Sequence, residues 1–160
     1  MTDIENYMKA VCKMRDDHIG RPDNWSYSCV EDWVLKNGRH WTPAPLPKDV
    51  ELMTIKECFK NAALLALERP DLTYVEGFAT IGLVPVLHAW CVDDEGRVID
   101  PTWPEGGIEY YGVPFDRRWL IRELAKVKYY GFIDDYRRGF PLLRRGVKGF
   151  LSKKRWRVQA

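Results

Sequence analysis

Cysteine and histidine are scarce in this chain of 160 residues, and the few present are scattered. Cys12, Cys29, Cys58 and Cys91 show no CxxC spacing, and His18, His40 and His88 stand far apart. A disulfide framework, a zinc knuckle and a metal cluster are therefore not expected. No glycine-rich phosphate loop and no recognised nucleic-acid motif occurs, so neither a cofactor nor a metal is expected. No apolar run approaches the ~20 residues needed to cross a bilayer, and Met1 is not followed by an apolar signal segment. The expectation is a cytoplasmic, reducing setting with no transmembrane segment, in which a thiol can stay free and reactive.

The length suits one domain spanning residues 1–160, with a modest hydrophobic core. Net charge is only +2, yet residues 116–160 carry 14 Lys or Arg against 4 acids, while residues 1–115 carry 11 against 19. The two parts can attract one another, or the basic part can face an anionic partner. The basic run Lys153-Lys154-Arg155-Trp156-Arg157 lies within a segment, 151–160, read as partly mobile and able to make weak contact with such a partner. A basic nucleic-acid- or protein-binding module, without catalysis, is the alternative function this implies, with nucleic acid held by charge and stacking.

Apolar spacing predicts a helix over residues 3–17, ended by Gly20 and Pro22. Ser28 and Glu31 form a capping-box pattern before a short helix stopped at Gly38. Pro43, Pro45 and Pro47 make residues 39–50 a linker or surface loop. Thr54 and Glu57 form a second capping-box pattern, followed by Ile55, Cys58, Phe59, Ala62, Leu65 and Ala66 on one helical face. Cys58 then falls about one turn inside a helix N-terminus, where unpaired amides and the positive end of the dipole favour a thiolate. Residues 72–79 read as a strand, with Gly77 marking a bulge or a close backbone approach.

The stretch from His88 to Asp100 organises the rest. Asp93-Asp94-Glu95-Gly96 reads as a hairpin turn between runs rich in Val, Ile and Trp. With Gly96 left-handed as a G1 bulge, Val92 faces Val98, and His88 and Asp100 become diagonal neighbours on one face. A plain four-residue loop would set them on opposite faces. A carboxylate that accepts the proton of one imidazole nitrogen fixes the tautomer and frees the other nitrogen as a base. After Pro101 the chain is rich in Gly, Pro and aromatics as far as Pro114, which predicts a long loop with a short strand near Ile108–Tyr111. Asp116 caps a further helix in which Trp119, Leu120, Ile121, Leu124 and Val127 face inward, and the apolar pattern continues through Phe132, Phe140, Leu142, Leu143, Val147 and Phe150.

Cys58, His88 and Asp100 thus supply a nucleophile, a base and an orienting carboxylate. Cys91 is the weaker alternative nucleophile, on the opposite strand face from His88 and without a dipole. The segments Glu57-Cys58-Phe59-Lys60-Asn61-Ala62, Tyr74-Val75-Glu76-Gly77, His88-Ala89-Trp90 and Val98-Ile99-Asp100-Pro101-Thr102-Trp103 resemble the core of the transglutaminase-like superfamily of papain-type cysteine enzymes. The resemblance covers roughly residues 54–103. It implies an α+β fold in which an antiparallel sheet packs against the nucleophile helix, with N- and C-terminal helices flanking it. It further implies Cys58 as nucleophile, His88 as base and Asp100 as the third member of a triad. The implied activity is that of a cysteine hydrolase (peptidase, amidase or deamidase) or an acyltransferase, acting on a peptide, a protein side-chain amide or a small acyl substrate. The amide of Cys58 is one candidate oxyanion donor, and a side chain from Asn24, Trp25, Tyr27 or Trp41 a second. Trp90, Trp103, Tyr110 and Tyr111 are the candidates to contact substrate, with core packing the competing role for the two tryptophans. Asn61 reads as structural.

Overall fold

A computed structural model describes residues 2–145 and 149–156. The first helix, α1 (Asp3–His18), begins in a complete capping box between Thr2 and Glu5 and buries Ile4 and Met8. Helix α2 (Val30–Asn37) starts at Cys29 rather than Ser28. The Ser28 amide donates to Asp32 Oδ2, so the side chain that reaches back belongs to Asp32 and not to Glu31.

Five strands follow in an antiparallel sheet: β1 (Arg39–Trp41), β2 (Thr73–Thr80), β3 (Val86–Val92), β4 (Val98–Ile99) and β5 (Glu109–Pro114), in the spatial order β1-β5-β2-β3-β4. Two of them correct the sequence reading. Residues 39–41, placed in a linker, form an edge strand, because the three prolines begin only at residue 43 and leave the preceding backbone free to pair. Residues 109–114, placed mostly in a long loop, form a central strand, with Gly112 opposite Gly77. A side chain at Gly77 would meet the Tyr111 carbonyl at 2.2 Å, and one at Gly112 would meet the Trp90 ring at 2.7 Å. Glycine there is what lets two central strands and an indole approach so closely.

Helix α3 (Cys58–Glu68) lies against β3 and β2. The Thr54–Glu57 capping box does not form. Lys56 adopts a left-handed φ of 66°, which no helix can pass through, so Cys58 becomes the first helical residue instead of lying a turn inside. Glu57 turns outward to Lys60, at 3.1 Å. Helix α4 (Arg117–Lys126) is capped by the Asp116 side chain, which accepts from the Trp119 amide. Trp119 and Leu120 are buried as expected, but Ile121 faces solvent and Glu123 takes the inward position, pairing with Arg138. A 3-10 turn (Tyr136–Arg138) and the short α5 (Pro141–Arg144) complete the elements.

The sheet separates two apolar clusters. One face packs Tyr74, Phe78, Ala89, Cys91, Tyr111 and Val113 against α1 to α4; the other gathers Trp41, Val75, Ala79, Trp90, Val92, Val98, Tyr110 and Trp156. Trp156 belongs to the segment read as mobile. Its indole N–H donates to the Asp93 carbonyl at 2.9 Å, its ring meets Trp41 edge to face, and Lys154 pairs with Asp94. Residues 157–160 and Val147 lie outside the described residues.

Glu76 is wholly buried on the helix-covered face. Its carboxylate accepts from Tyr74 Oη at 2.7 Å and from the amides of Phe132 and Ile133 at 2.8–3.0 Å. Burial outweighs these donors and pushes its pKa up to about 7. A raised carboxyl contributes stability that is fully present below its unfolded value and is lost as pH rises through about 7. Urea midpoints of the wild type are therefore expected to fall between pH 5 and pH 8. Glu76→Gln, which removes the titrating group, is expected to show a smaller fall; an equal fall in both proteins would refute this.

Candidate active site

The β3–β4 hairpin has the register that its glycine implied. Gly96 is left-handed at φ 77°, the Asp93 amide donates to the Arg97 carbonyl, and Val92 stands opposite Val98. Asp93 holds the turn by accepting from the amides of Glu95 and Arg97 and from the Arg97 guanidinium. As a result, His88 and Asp100 share a face, and His88 Nε2 donates to Asp100 Oδ2 at 2.8 Å. Both are buried, at 2 % and 4 % exposure.

Asp100 has a full set of donors. Tyr110 Oη donates to Oδ2 at 2.9 Å, while the amides of Thr102 and Trp103 donate to Oδ1 at 2.9 and 3.3 Å. Burial works to raise this carboxyl, but the bonds and charge of His88, with those of Thr102 and Tyr110, hold it below the usual carboxylate range. The Tyr110 phenol is pushed up by burial and then by Asp100, so it remains a donor; it also accepts from the Gly107 amide at 2.6 Å.

The imidazole of His88 lies beneath Trp103, ring centroids 3.9 Å apart and planes 13° from parallel. Burial alone would lower its pKa. Bonds to Asp100 and Cys58, and the charges of both, reverse the direction and raise it to about 9. Cys58 is thus among the side chains whose influence reaches the ring. With Nε2 committed to Asp100, Nδ1 is the ring nitrogen that the carboxylate does not engage. Beyond Ile99, β4 ends, so among the described residues, residues 86–90 of β3 have no strand partner on that side. Pro85, which has no backbone N–H to offer a ladder, stands just before this open stretch.

Cys58 is partly exposed at the first position of α3, where Glu57 supplies no side-chain cap to the leading amides. The other thiols are placed otherwise. Burial pushes Cys12 up to about 12 and raises Cys29, whose sulfur is 3.8 Å from that of Cys12. Cys91 is buried, raised by burial, and donates to the Ala62 carbonyl. Asn61 is structural: its amide ties α3 to the Thr54 carbonyl and to Thr102 Oγ1.

The aromatic candidates divide. Trp103 adjoins both His88 and an open groove. Trp90 is fully buried, edge to face with Tyr110, and so supports the site from beneath. Tyr110 orients Asp100. Tyr111 points to the opposite face, where its hydroxyl donates to the Leu35 carbonyl. Of the proposed oxyanion donors, Trp41 spends its indole N–H on the Gly112 carbonyl, Trp25 packs on Phe140 and Tyr27 on Trp33. Tyr110 as a positioning residue was missed by the sequence reading. Its signal, an aromatic ten residues after Asp100, becomes readable only when β5 is known to be a central strand.

Among the described residues no group of three or more His, Cys, Asp and Glu could hold a metal ion, and no helix is long and apolar enough to cross a membrane. No family model, no curated protein and no solved structure matches this chain.

Tyr110→Phe removes one donor from Asp100 and leaves the Gly107 amide without its acceptor. A stability loss of about 1–3 kcal/mol at pH 7 is expected, measured by urea unfolding. A change within 0.3 kcal/mol, a small effect by the scale of surface substitutions, would show that the phenol does not hold the carboxylate.

Proposed function

We propose that the protein is a thiol-dependent hydrolase or acyltransferase with a transglutaminase-like core, using Cys58 as nucleophile, His88 as acid and base, and Asp100 as the orienting group. The observation that carries this reading is the buried His88–Asp100 pair at 2.8 Å, with the partly exposed Cys58 at the start of the helix that packs on the His88 strand.

In the proposed cycle the Cys58 thiolate, beside protonated His88, attacks the carbonyl carbon of an amide or thioester. A carbon–sulfur bond forms, and the oxyanion that develops faces the amides at the start of α3, which the Glu57 side chain does not cap. As the intermediate collapses, the bond to the leaving amine or thiol breaks and His88 delivers its proton to that group. His88 then takes a proton from water or an acceptor amine, which attacks the acyl-enzyme and regenerates the thiolate. Asp100 remains ionised throughout and stabilises the imidazolium, as its donors and lowered pKa favour. Trp103 over the ring adds a π face that favours the charged imidazole and excludes water.

The test is alkylation of the folded protein by iodoacetamide, located by peptide mass. Cys58 is expected to react first, and His88→Ala to slow it by roughly 10²-fold or more, the lower range for loss of a positioned base. Slow reaction of all four cysteines at similar rates would sink the proposal. Turnover of an acyl substrate is expected to fall above about pH 9, where His88 loses the proton owed to the leaving group. A rate that keeps rising past pH 10 would assign that proton to another group.

A further inference from the structure

Beside the candidate site is an open groove of about 450 Å³, lined by Ile81, Trp103, Pro104, Gly107 and Ile108, with Glu105 its one charged member. It adjoins the largest run of exposed aliphatic side chains on the described surface: Ile81 is 64 % exposed, Leu83 fully, and Ile108 69 %, with Val84 and Val86 beside them. Exposing so many aliphatic groups together costs solubility and marks a surface that meets something apolar. These residues are not on a loose loop. The Ile108 amide donates to the Thr80 carbonyl at 2.7 Å, and Thr80 Oγ1 both accepts from the Gly82 amide and donates to the Gly82 carbonyl.

Two connections join the groove to the chemistry. Trp103 is at once a groove wall and the ring stacked 3.9 Å from His88. Gly107, also in the groove lining, donates to Tyr110, which donates to Asp100. A side chain at Gly107 would strike the Tyr110 ring at 2.7 Å, so this wall presents bare backbone close against the site. An occupant of the groove therefore packs on the Trp103 ring that covers His88 and on the Gly107 backbone that supports Tyr110. The lining supplies apolar surface and one anion, which disfavours an anionic occupant and leaves a neutral hydrocarbon chain.

We propose that the groove receives the aliphatic acyl chain of the substrate, so that the acyl donors are thioesters or amides of chains several carbons long. The proposal rests on the thiol reading above and adds the substrate class. The covalent step is acyl transfer to Cys58: the carbon–sulfur bond to the enzyme forms, the donor's bond to its thiolate breaks, and His88 protonates that thiolate.

The full-length protein is incubated with S-acyl-N-acetylcysteamines of two to ten acyl carbons, and acylation of Cys58 is followed by intact mass. The rate constant is expected to rise roughly two- to fourfold per methylene until the groove is filled. Ile81→Asp with Ile108→Asp is expected to flatten that rise. Both positions are exposed, so folding should survive, and circular dichroism checks it. Rates independent of chain length in the wild type, or an unchanged rise in the double variant, would overturn the proposal. Should no thioester acylate Cys58, the thiol reading fails, and the groove is then judged alone by calorimetry of S-octanoyl-N-acetylcysteamine with Cys58→Ala. Binding lost in the triple variant supports it, and no binding, or binding the aspartates do not weaken, overturns it.

Discussion

The buried carboxylate of Asp100 ties together the pieces of chain that form the site. An ionised group stripped of water costs several kcal/mol unless donors replace the lost hydration. Here four donors do so: a side chain from β3, two amides from the turn that follows the carboxylate and a phenol from β5. None of these segments can shift without leaving a buried charge partly unsatisfied. The imidazole orientation is then a consequence of the same bonds that anchor the loop after β4.

Close packing beneath the pair depends on two glycines. Gly77 and Gly112 face one another across β2 and β5, and the Trp90 ring lies over Gly112 in the space a side chain would take. Trp90 in turn meets Tyr110 at 5.0 Å and lies stacked 6.1 Å from His88. A flat ring fills the shallow space above the glycine pair, and Trp41, Tyr110 and Trp156 on the same face spend their polar edges on hydrogen bonds. Trp156 reaches the same cluster from the far end of the chain, which closes the face opposite the helices.

The His88–Asp100 pair was legible because it is local. A turn of four residues with glycine at its end fixes the register, and the register sets His88 beside Asp100. Cys58 at a helix start was legible as well, though its exact position was not, since the left-handed Lys56 that shortens the helix leaves no mark in an apolar pattern. The capping boxes at Ser28 and Thr54 misled for a related reason: a short polar motif states what a helix end can use, and tertiary contacts decide whether it is used. The strands β1 and β5 were hidden for another reason. β1 is only three residues long and runs on towards Pro43, while β5 is interrupted by Gly112 and ends at Pro114, so only pairing across the sheet reveals them. The docking of Trp156 on Trp41 joins residues 115 positions apart, and no local signal carries such a contact.

Glu76 and Gly77, adjacent in β2, serve opposite faces. Glu76 holds the amides of Phe132 and Ile133 and so fastens the segment after α4 to the sheet, whereas Gly77 lies on the face that carries His88. The carboxylates on the two faces titrate in opposite directions. Burial dominates at Glu76 and raises it, while donors dominate at Asp100 and lower it. Around neutral pH, Asp100 is firmly charged while Glu76 is near its own midpoint. A rise in pH therefore strains the helix-covered face first and leaves the donors around Asp100 in place. Separate supports for the two faces explain how so short a chain can hold an ionised pair in its interior: the bonds that keep the pair in register are not those that keep the helices on the sheet.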